Sequence, residues 1–117
     1  MKQVVVADDD DGVRTLLRLN LELEGHCVVG EAADGGEALE MTCQCHPDVL
    51  VLDMMMPGTN GADVLRALSG CDAQARPCVV AYSASPSHLE LAGELGADRT
   101  VLKTGDMTDL MSVVAGC

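Results

Sequence analysis

Hydrophobic and polar positions along the chain form two kinds of block that alternate. Short runs rich in Val, Leu and Ala at residues 3–7, 27–32, 48–52, 78–82 and 100–102 have the length of strands. Most are continuously apolar, so both faces of each strand should be covered, as in a parallel sheet between helix layers. The blocks between them carry apolar residues at helical spacing. In the first, Val13, Leu16, Leu17 and Leu21 share a side, and Gly25 stands where a helix-ending glycine belongs. The second, over residues 35–45, places Ala38, Leu39 and Cys43 on one side and stops before Pro47, which disfavours helical geometry in the residue ahead of it. A third runs over about residues 62–69, with Val64, Leu65 and Leu68 inward and Gly70 after its last turn. Ser85 and Pro86 read as N-cap and first position of a fourth that continues to Leu95 before Gly96. Asp106 can cap a last helix containing Leu110, Met111, Val113 and Val114. This alternation predicts an α/β fold: a single doubly wound (βα)5 domain over residues 1–117, with a five-stranded parallel sheet and right-handed crossovers.

Composition narrows how such a core is filled. Hydrophobic residues make up 48% of the chain, yet Tyr82 is its only aromatic, so Leu, Val, Ala and Met must do the packing. The net charge of -12 offers no basic stripe for a phosphate backbone, which argues against direct nucleic-acid binding. The six cysteines (Cys27, Cys43, Cys45, Cys71, Cys78 and Cys117) would suggest a disulfide framework in a short secreted chain. The opening residues, however, are too short for a signal-peptide apolar core and run straight into four aspartates, and no segment approaches membrane-spanning length. A reducing cytoplasm is therefore expected, with the cysteines acting as small buried hydrophobes. Cys43, Cys45 and His46 lack the spacing and second ligand pair of a zinc site and read as a helix end.

In open α/β sheets the site lies beyond the carboxyl ends of the strands. That rule selects Asp8 and Asp9 after the first strand, Asp53 after the third, Ser83 after the fourth and Lys103 after the fifth. Three carboxylates converging on one spot repel unless a cation sits among them, and an all-oxygen donor set suits Mg2+. The Ser83 hydroxyl and the Lys103 ammonium complete a receptor for a dianionic group, which makes Asp53 a nucleophile for phosphoryl transfer. Asp10 and Asp11 read as helix-opening or solvent-facing acids. Gly58 and Gly61 read as turn residues, and Met54, Met55 and Met56 as loop packing. The stretch DDDDG fails as an EF-hand loop: with Gly12 at position six, Ala7 and Arg18 occupy positions one and twelve, where ligands are required.

Taken together, VVVADDDDGVR, DVLVLDMMMPGTNG, VVAYSAS and VLK resemble the four signature stretches of response-regulator receiver domains, in family order and spacing. The resemblance spans essentially the whole chain. It implies the flavodoxin-like strand order 2-1-3-4-5 and a phosphorylation-activated signalling role in a two-component system. Asp53 would accept the phosphoryl group of a histidine kinase or histidine phosphotransfer protein in a Mg2+-dependent reaction. Asp9 and Asp53 would ligate Mg2+ directly, with the backbone carbonyl of Met55, and Asp8 would act through water. Ser83 and Lys103 would contact the phosphoryl group, and an output domain or effector protein would sense the change.

Two departures from the family bear on the switch. Many receivers carry an aromatic residue three positions before the lysine, where this chain has Thr100, and a proline after it, where this chain has Thr104. A cis bond at Lys103–Thr104 would cost about 2.5–4 kcal/mol, so either the bond is trans with a rearranged loop or the site bears that strain. Tyr82 precedes Ser83, and strand alternation sends it to the opposite face, giving it a packing role. The missing proline resembles a subgroup with a C-terminal DNA-binding helix-turn-helix, which these 117 residues do not contain, and the end at Cys117 after a short last helix hints at a piece of a longer protein. Ser83 and Thr100 are the expected switch positions, and Val13, Arg14 and Leu17 the expected partner-docking residues. Met55 and Ser85 flank the phosphoryl position, and a bulky Met55 implies slow dephosphorylation. The alternative function is a constitutive interaction module on the same fold that does not switch. A stand-alone hydrolase ranks last, since His26, His46 and His88 are not at the strand ends of the site. No activity beyond the chain's own phosphorylation and dephosphorylation is expected.

Overall fold

Five strands, β1 (Gln3–Ala7), β2 (Cys27–Ala32), β3 (Val49–Asp53), β4 (Cys78–Ser83) and β5 (Arg99–Leu102), alternate with five helices. These are α1 (Asp11–Leu23), α2 (Gly35–Cys45), α3 (Gly61–Ser69), α4 (Pro86–Glu94) and α5 (Thr108–Ala115). The structure, a computed structural model, describes residues 1–70, 76–104 and 107–117. All strand pairs are parallel, in the order β2-β1-β3-β4-β5. The doubly wound sheet and its 2-1-3-4-5 order are those the sequence led one to expect.

The continuously apolar strands are explained by two cores, one on each face. Val5, Ala7, Leu50, Leu52, Val79 and Ala81 pack with side chains of α2, α3 and α4. Their strand neighbours Val4, Val6, Val49, Val51, Val80 and Tyr82 pack with Leu17 and Leu21 of α1 and Leu110, Met111 and Val114 of α5. Each strand thus contributes alternate residues to opposite layers, so a polar side chain in the middle of β1 or β3 has no place to go. The first polar side chains appear where the strands run out, at Asp8, Asp53 and Ser83, all buried.

Helix starts are set by local chemistry. The Asp10 carboxylate accepts from the N–H groups of Gly12 (2.8 Å) and Val13 (3.2 Å), opening α1 as its reading as a helix-opening acid requires. Asp34 accepts from the Glu37 N–H (2.9 Å) and opens α2. Asn60 and Asp63 form a capping box, which starts α3 at Gly61, one residue before the expected boundary. Ser85 occupies the N-cap of α4 with Pro86 at its first position, but its side chain makes no capping bond, and its hydroxyl lies 2.9 Å from that of Ser87. The expected cap at Asp106 lies outside the described residues, as does Cys71.

Several inward assignments change. Leu16 is 52% exposed, because α1 turns Leu17 and Leu21 squarely onto the sheet and leaves Leu16 at the edge of that stripe. Cys43 is exposed, and Thr42 takes the buried position on α2, its hydroxyl donating to the Ala38 carbonyl (2.7 Å). The expectation that the cysteines are small buried hydrophobes is corrected: Cys27 is also exposed, and Cys78 is joined to Cys117 as a disulfide tying the start of β4 to the residues after α5. Gly61 does more than turn the chain. A Cβ there would lie 2.7 Å from the Met54 Cα and 2.8 Å from the Asp53 carbonyl oxygen, so only glycine lets α3 begin against the backbone of Asp53.

Candidate functional site

The strand ends bring the selected residues together. Asp8 and Asp9 follow β1, Asp53 and Ser83 are the last residues of β3 and β4, and Lys103 follows β5. Because β1, β3 and β4 are adjacent and in register, the carboxylates of Asp8, Asp9 and Asp53 converge, with one oxygen from each within 4.8 Å of the others. Asp8 and Asp53 are buried and Asp9 is exposed. The Lys103 Nζ lies 3.0 Å from Asp8 Oδ2 and 3.6 Å from Asp53 Oδ2. The backbone holds this edge: the Lys103 N–H donates to the Ser83 carbonyl (2.8 Å), and the Met54 N–H to the Tyr82 carbonyl (3.2 Å).

Asp8 is saturated with protein donors. Its Oδ1 accepts from the Asp10 N–H (2.9 Å), and its Oδ2 from Lys103 Nζ and the Tyr82 hydroxyl. Burial pushes its carboxyl up, but Tyr82, the Asp10 N–H and Lys103 outweigh burial and hold it below the usual carboxylate range. Asp53 is less well served, its Oδ1 accepting from the Met55 N–H (3.0 Å). Burial, together with the charges of Asp8 and Asp9, pushes the Asp53 carboxyl up to about 6 against the restraint of the Met55 N–H and Lys103. Lys103 is held above its ordinary value, since Asp8 and Asp53 outweigh its partial burial.

The donor chemistry fits a hard dication. The cluster sets three carboxylates, two of them buried, against one ammonium that reaches Asp8 and Asp53, and every side-chain donor in it to a metal is oxygen. The Ser83 hydroxyl is buried and accepts from the Ser85 N–H (3.1 Å), which fixes it at the same strand edge. The Met55 side chain is 57% exposed and lines a surface cleft with Asp9, Met56 and His88, whereas Met54 and Met56 are buried, in keeping with loop packing. His88, set aside in the sequence because it is not at a strand end, lies on α4 and borders this cleft.

Four expected residues fall differently. Leu17 is fully buried, so it cannot belong to a docking surface; on α1 the exposed leucines are Leu16, Leu19 and Leu23. Val13 is half-buried against the α5-side core. The Arg14 guanidinium is committed inside the chain, donating to the Asp8 carbonyl (2.5 Å) and to Asp11, with its Nε 3.8 Å from Glu31. Thr100 is exposed on β5, away from the carboxylates, and among the described residues no peptide bond is cis, so Lys103–Thr104 is trans.

Tyr82 is the site residue that sequence reasoning missed. Alternation correctly sends it into the α1/α5 layer, but its role is not packing alone: its hydroxyl donates to Asp8 Oδ2, and Lys103 Nζ lies 4.7 Å from its ring centroid. The signal in the sequence was a buried phenol beside a strand end. A tyrosine there needs a partner for its hydroxyl, and Asp8 is the acceptor the sheet order supplies.

Comparisons with known proteins agree with this geometry. Residues 4–115 match the response regulator receiver domain family. The chain is 44% identical over 103 residues to a protein-glutamate methylesterase/protein-glutamine glutaminase of Myxococcus xanthus, a match covering 86% of this chain and 30% of that protein. Among solved structures, the signal receiver domain of the response regulator NarL from Mycobacterium tuberculosis superposes with a TM-score of 0.89 at 36% identity, covering 99% of this chain and 94% of that one. The response regulator TrrA of Thermotoga maritima, solved in complex with Mg(2+)-BeF, superposes with a TM-score of 0.89 at 27% identity, covering 99% and 98%. The chain spans between 30% and 54% of the length of these curated relatives.

Proposed function

We propose that this chain, which belongs to the response regulator receiver domain family, switches by accepting a phosphoryl group on Asp53. The observation that carries the reading is the placement of a buried, poorly satisfied carboxylate between two further carboxylates and the Lys103 ammonium, 3.6 Å away. Asp53 is the nucleophile: one of its oxygens forms the new bond to phosphorus as the bond to a donor histidine nitrogen breaks and the imidazole departs. Asp9, Asp53 and the Met55 carbonyl, with Asp8 through water, would hold Mg2+, which would supply neutralisation of the charge developing on the phosphoryl oxygens. Lys103 moves its attention from Asp53 to the phosphoryl group, and Ser83 donates a hydrogen bond to it.

The donor is a histidine kinase or histidine phosphotransfer protein, and the exposed part of α1 near Val13 and Leu16 is where it docks, with Arg14 bracing the Asp8 loop. Ser83 and Thr100 carry the change to an output domain or effector. The functional unit is one receiver domain over residues 1–117, working in the cytoplasm and catalysing only its own phosphorylation and dephosphorylation. Its net charge of -12 disfavours direct contact with nucleic acid, and no described helix is long and apolar enough to cross a membrane. Met55, exposed and unable to orient a water, together with Ser85, makes the phosphoryl group long-lived.

The test is transfer from a phosphorylated kinase to wild-type protein and to Asp53→Asn: a hydroxylamine-labile phosphoryl group on wild type alone supports the assignment, and equal labelling of the variant refutes it. A second reading, motivated by the exposed Thr100 at the position of the family's aromatic, is a constitutive interaction module. It requires that amide spectra around Ser83 and Thr100 stay unchanged on phosphorylation.

A further inference from the structure

We propose that Tyr82 is a positioning residue of the acidic site, its hydroxyl fixing Asp8 and its ring seating Lys103, so that Mg2+ affinity depends on that hydroxyl. The proposal rests on the receiver reading above. Asp8 is fully buried, so its orientation is set by the protein donors around it. The Asp10 N–H anchors Oδ1, and the Tyr82 hydroxyl and Lys103 converge on Oδ2. A carboxylate held at both oxygens keeps one orientation toward Asp9 and Asp53, and groups that orient a metal's carboxylates set its affinity.

Lys103 alone cannot do this work. Its ammonium also faces Asp53 and is shared between the two carboxylates, so when it turns to a phosphoryl group, Tyr82 is what remains on Oδ2. The ring meanwhile gives Lys103 a face to lie over, 4.7 Å from the centroid, beside a cavity of about 140 Å³ lined by Val13, Leu16, Val101 and Met107. Tyr82 is also the only aromatic in the chain and is buried in the core. A phenylalanine fills the same space and keeps the ring face but leaves Asp8 one donor short, which separates positioning from packing.

The experiment is Mg2+ binding by calorimetry, without phosphodonor, to wild type, Tyr82→Phe, Asp8→Asn and the double variant. The expected result is a rise in Kd of about tenfold for Tyr82→Phe, with no further rise when it is added to Asp8→Asn. A Kd within about twofold of wild type, a tighter Kd, or an equal effect in the Asp8→Asn background overturns the proposal. Wild-type tyrosine emission gives a readout that needs no variant: it should change along the same Mg2+ curve as the heat, and an invariant signal overturns the proposal. Wild-type protein that binds no Mg2+ overturns the receiver reading itself, whereas wild type that binds Mg2+ beside a Tyr82→Phe variant of unchanged Kd overturns only this inference.

Discussion

Replacing Asp53 with asparagine should stabilise the metal-free protein at alkaline pH. Burial, with Asp8 and Asp9 nearby, raises the folded carboxyl from 3.8 to about 6, so the ionised form is disfavoured in the fold by about 3 kcal/mol, at 1.36 kcal/mol per pH unit. Between pH 4 and 6 the folded state binds this proton more readily than the unfolded state, so stability falls as pH rises through the window and stays low above it. Asparagine keeps an acceptor for the Met55 N–H and removes the charge, while giving up the Lys103 partner. At about 2.1 cal/mol/K per residue over 117 residues, 3 kcal/mol corresponds to roughly 12 °C, the Lys103 contact being already contained in the shift. The assay is thermal unfolding of both proteins in chelator at pH 8 and pH 5. Asp53→Asn should melt higher at pH 8, and the difference should shrink at pH 5 as wild type takes up its proton. A variant no more stable than wild type at pH 8, or a gap that does not narrow on acidification, would refute the electrostatic account of this site.

The same carboxyl makes proton and metal competitors: Mg2+ affinity, measured by calorimetry, should weaken steadily as pH falls below about 6. Asp8, held below the usual range, contributes stability that is present above its ordinary value of 3.8 and is lost as pH falls further, so with Asp53 losing stability above 3.8 these two groups place the maximum in chelator near pH 3.8. Reducing the Cys78–Cys117 bridge frees a chain separation of 39 residues and should lower unfolding free energy by about 4 kcal/mol; alkylation before and after reduction, read by intact mass, should show two thiols released. Leu17→Ala should cost about 2–5 kcal/mol in chemical denaturation, whereas Leu16→Ala should leave stability nearly unchanged, and the reverse order would contradict the phase of α1.

What the chain reveals by itself follows from the range of the interactions involved. Continuous apolar strands are a local pattern with one architectural meaning, and the strand-end rule then located Asp8, Asp9, Asp53, Ser83 and Lys103, which the sheet does bring to one edge. Caps are local too, and the Asn60–Asp63 pair that begins α3 was there to be read. The phase of a helix is less sharply written. A stripe through Val13, Leu17 and Leu21 admits Leu16 at its margin, and only packing against β1 and β2 leaves that residue outside. Tyr82 was placed on the right layer but given the wrong role, because alternation reports a residue's face and not that Asp8 and Lys103 reach over the sheet edge to that face. The Cys78–Cys117 pairing depends on where the last helix delivers the chain, which no spacing of cysteines encodes.

The central claim is that Asp53, in this cluster, is the chemically competent acceptor. The most direct measurement is the intact mass of wild type and Asp53→Asn after incubation with acetyl phosphate, with and without Mg2+. The account predicts one added phosphoryl group on wild type only when Mg2+ is present and none on the variant. Addition without Mg2+, equal addition to Asp53→Asn, or no addition to wild type would contradict it.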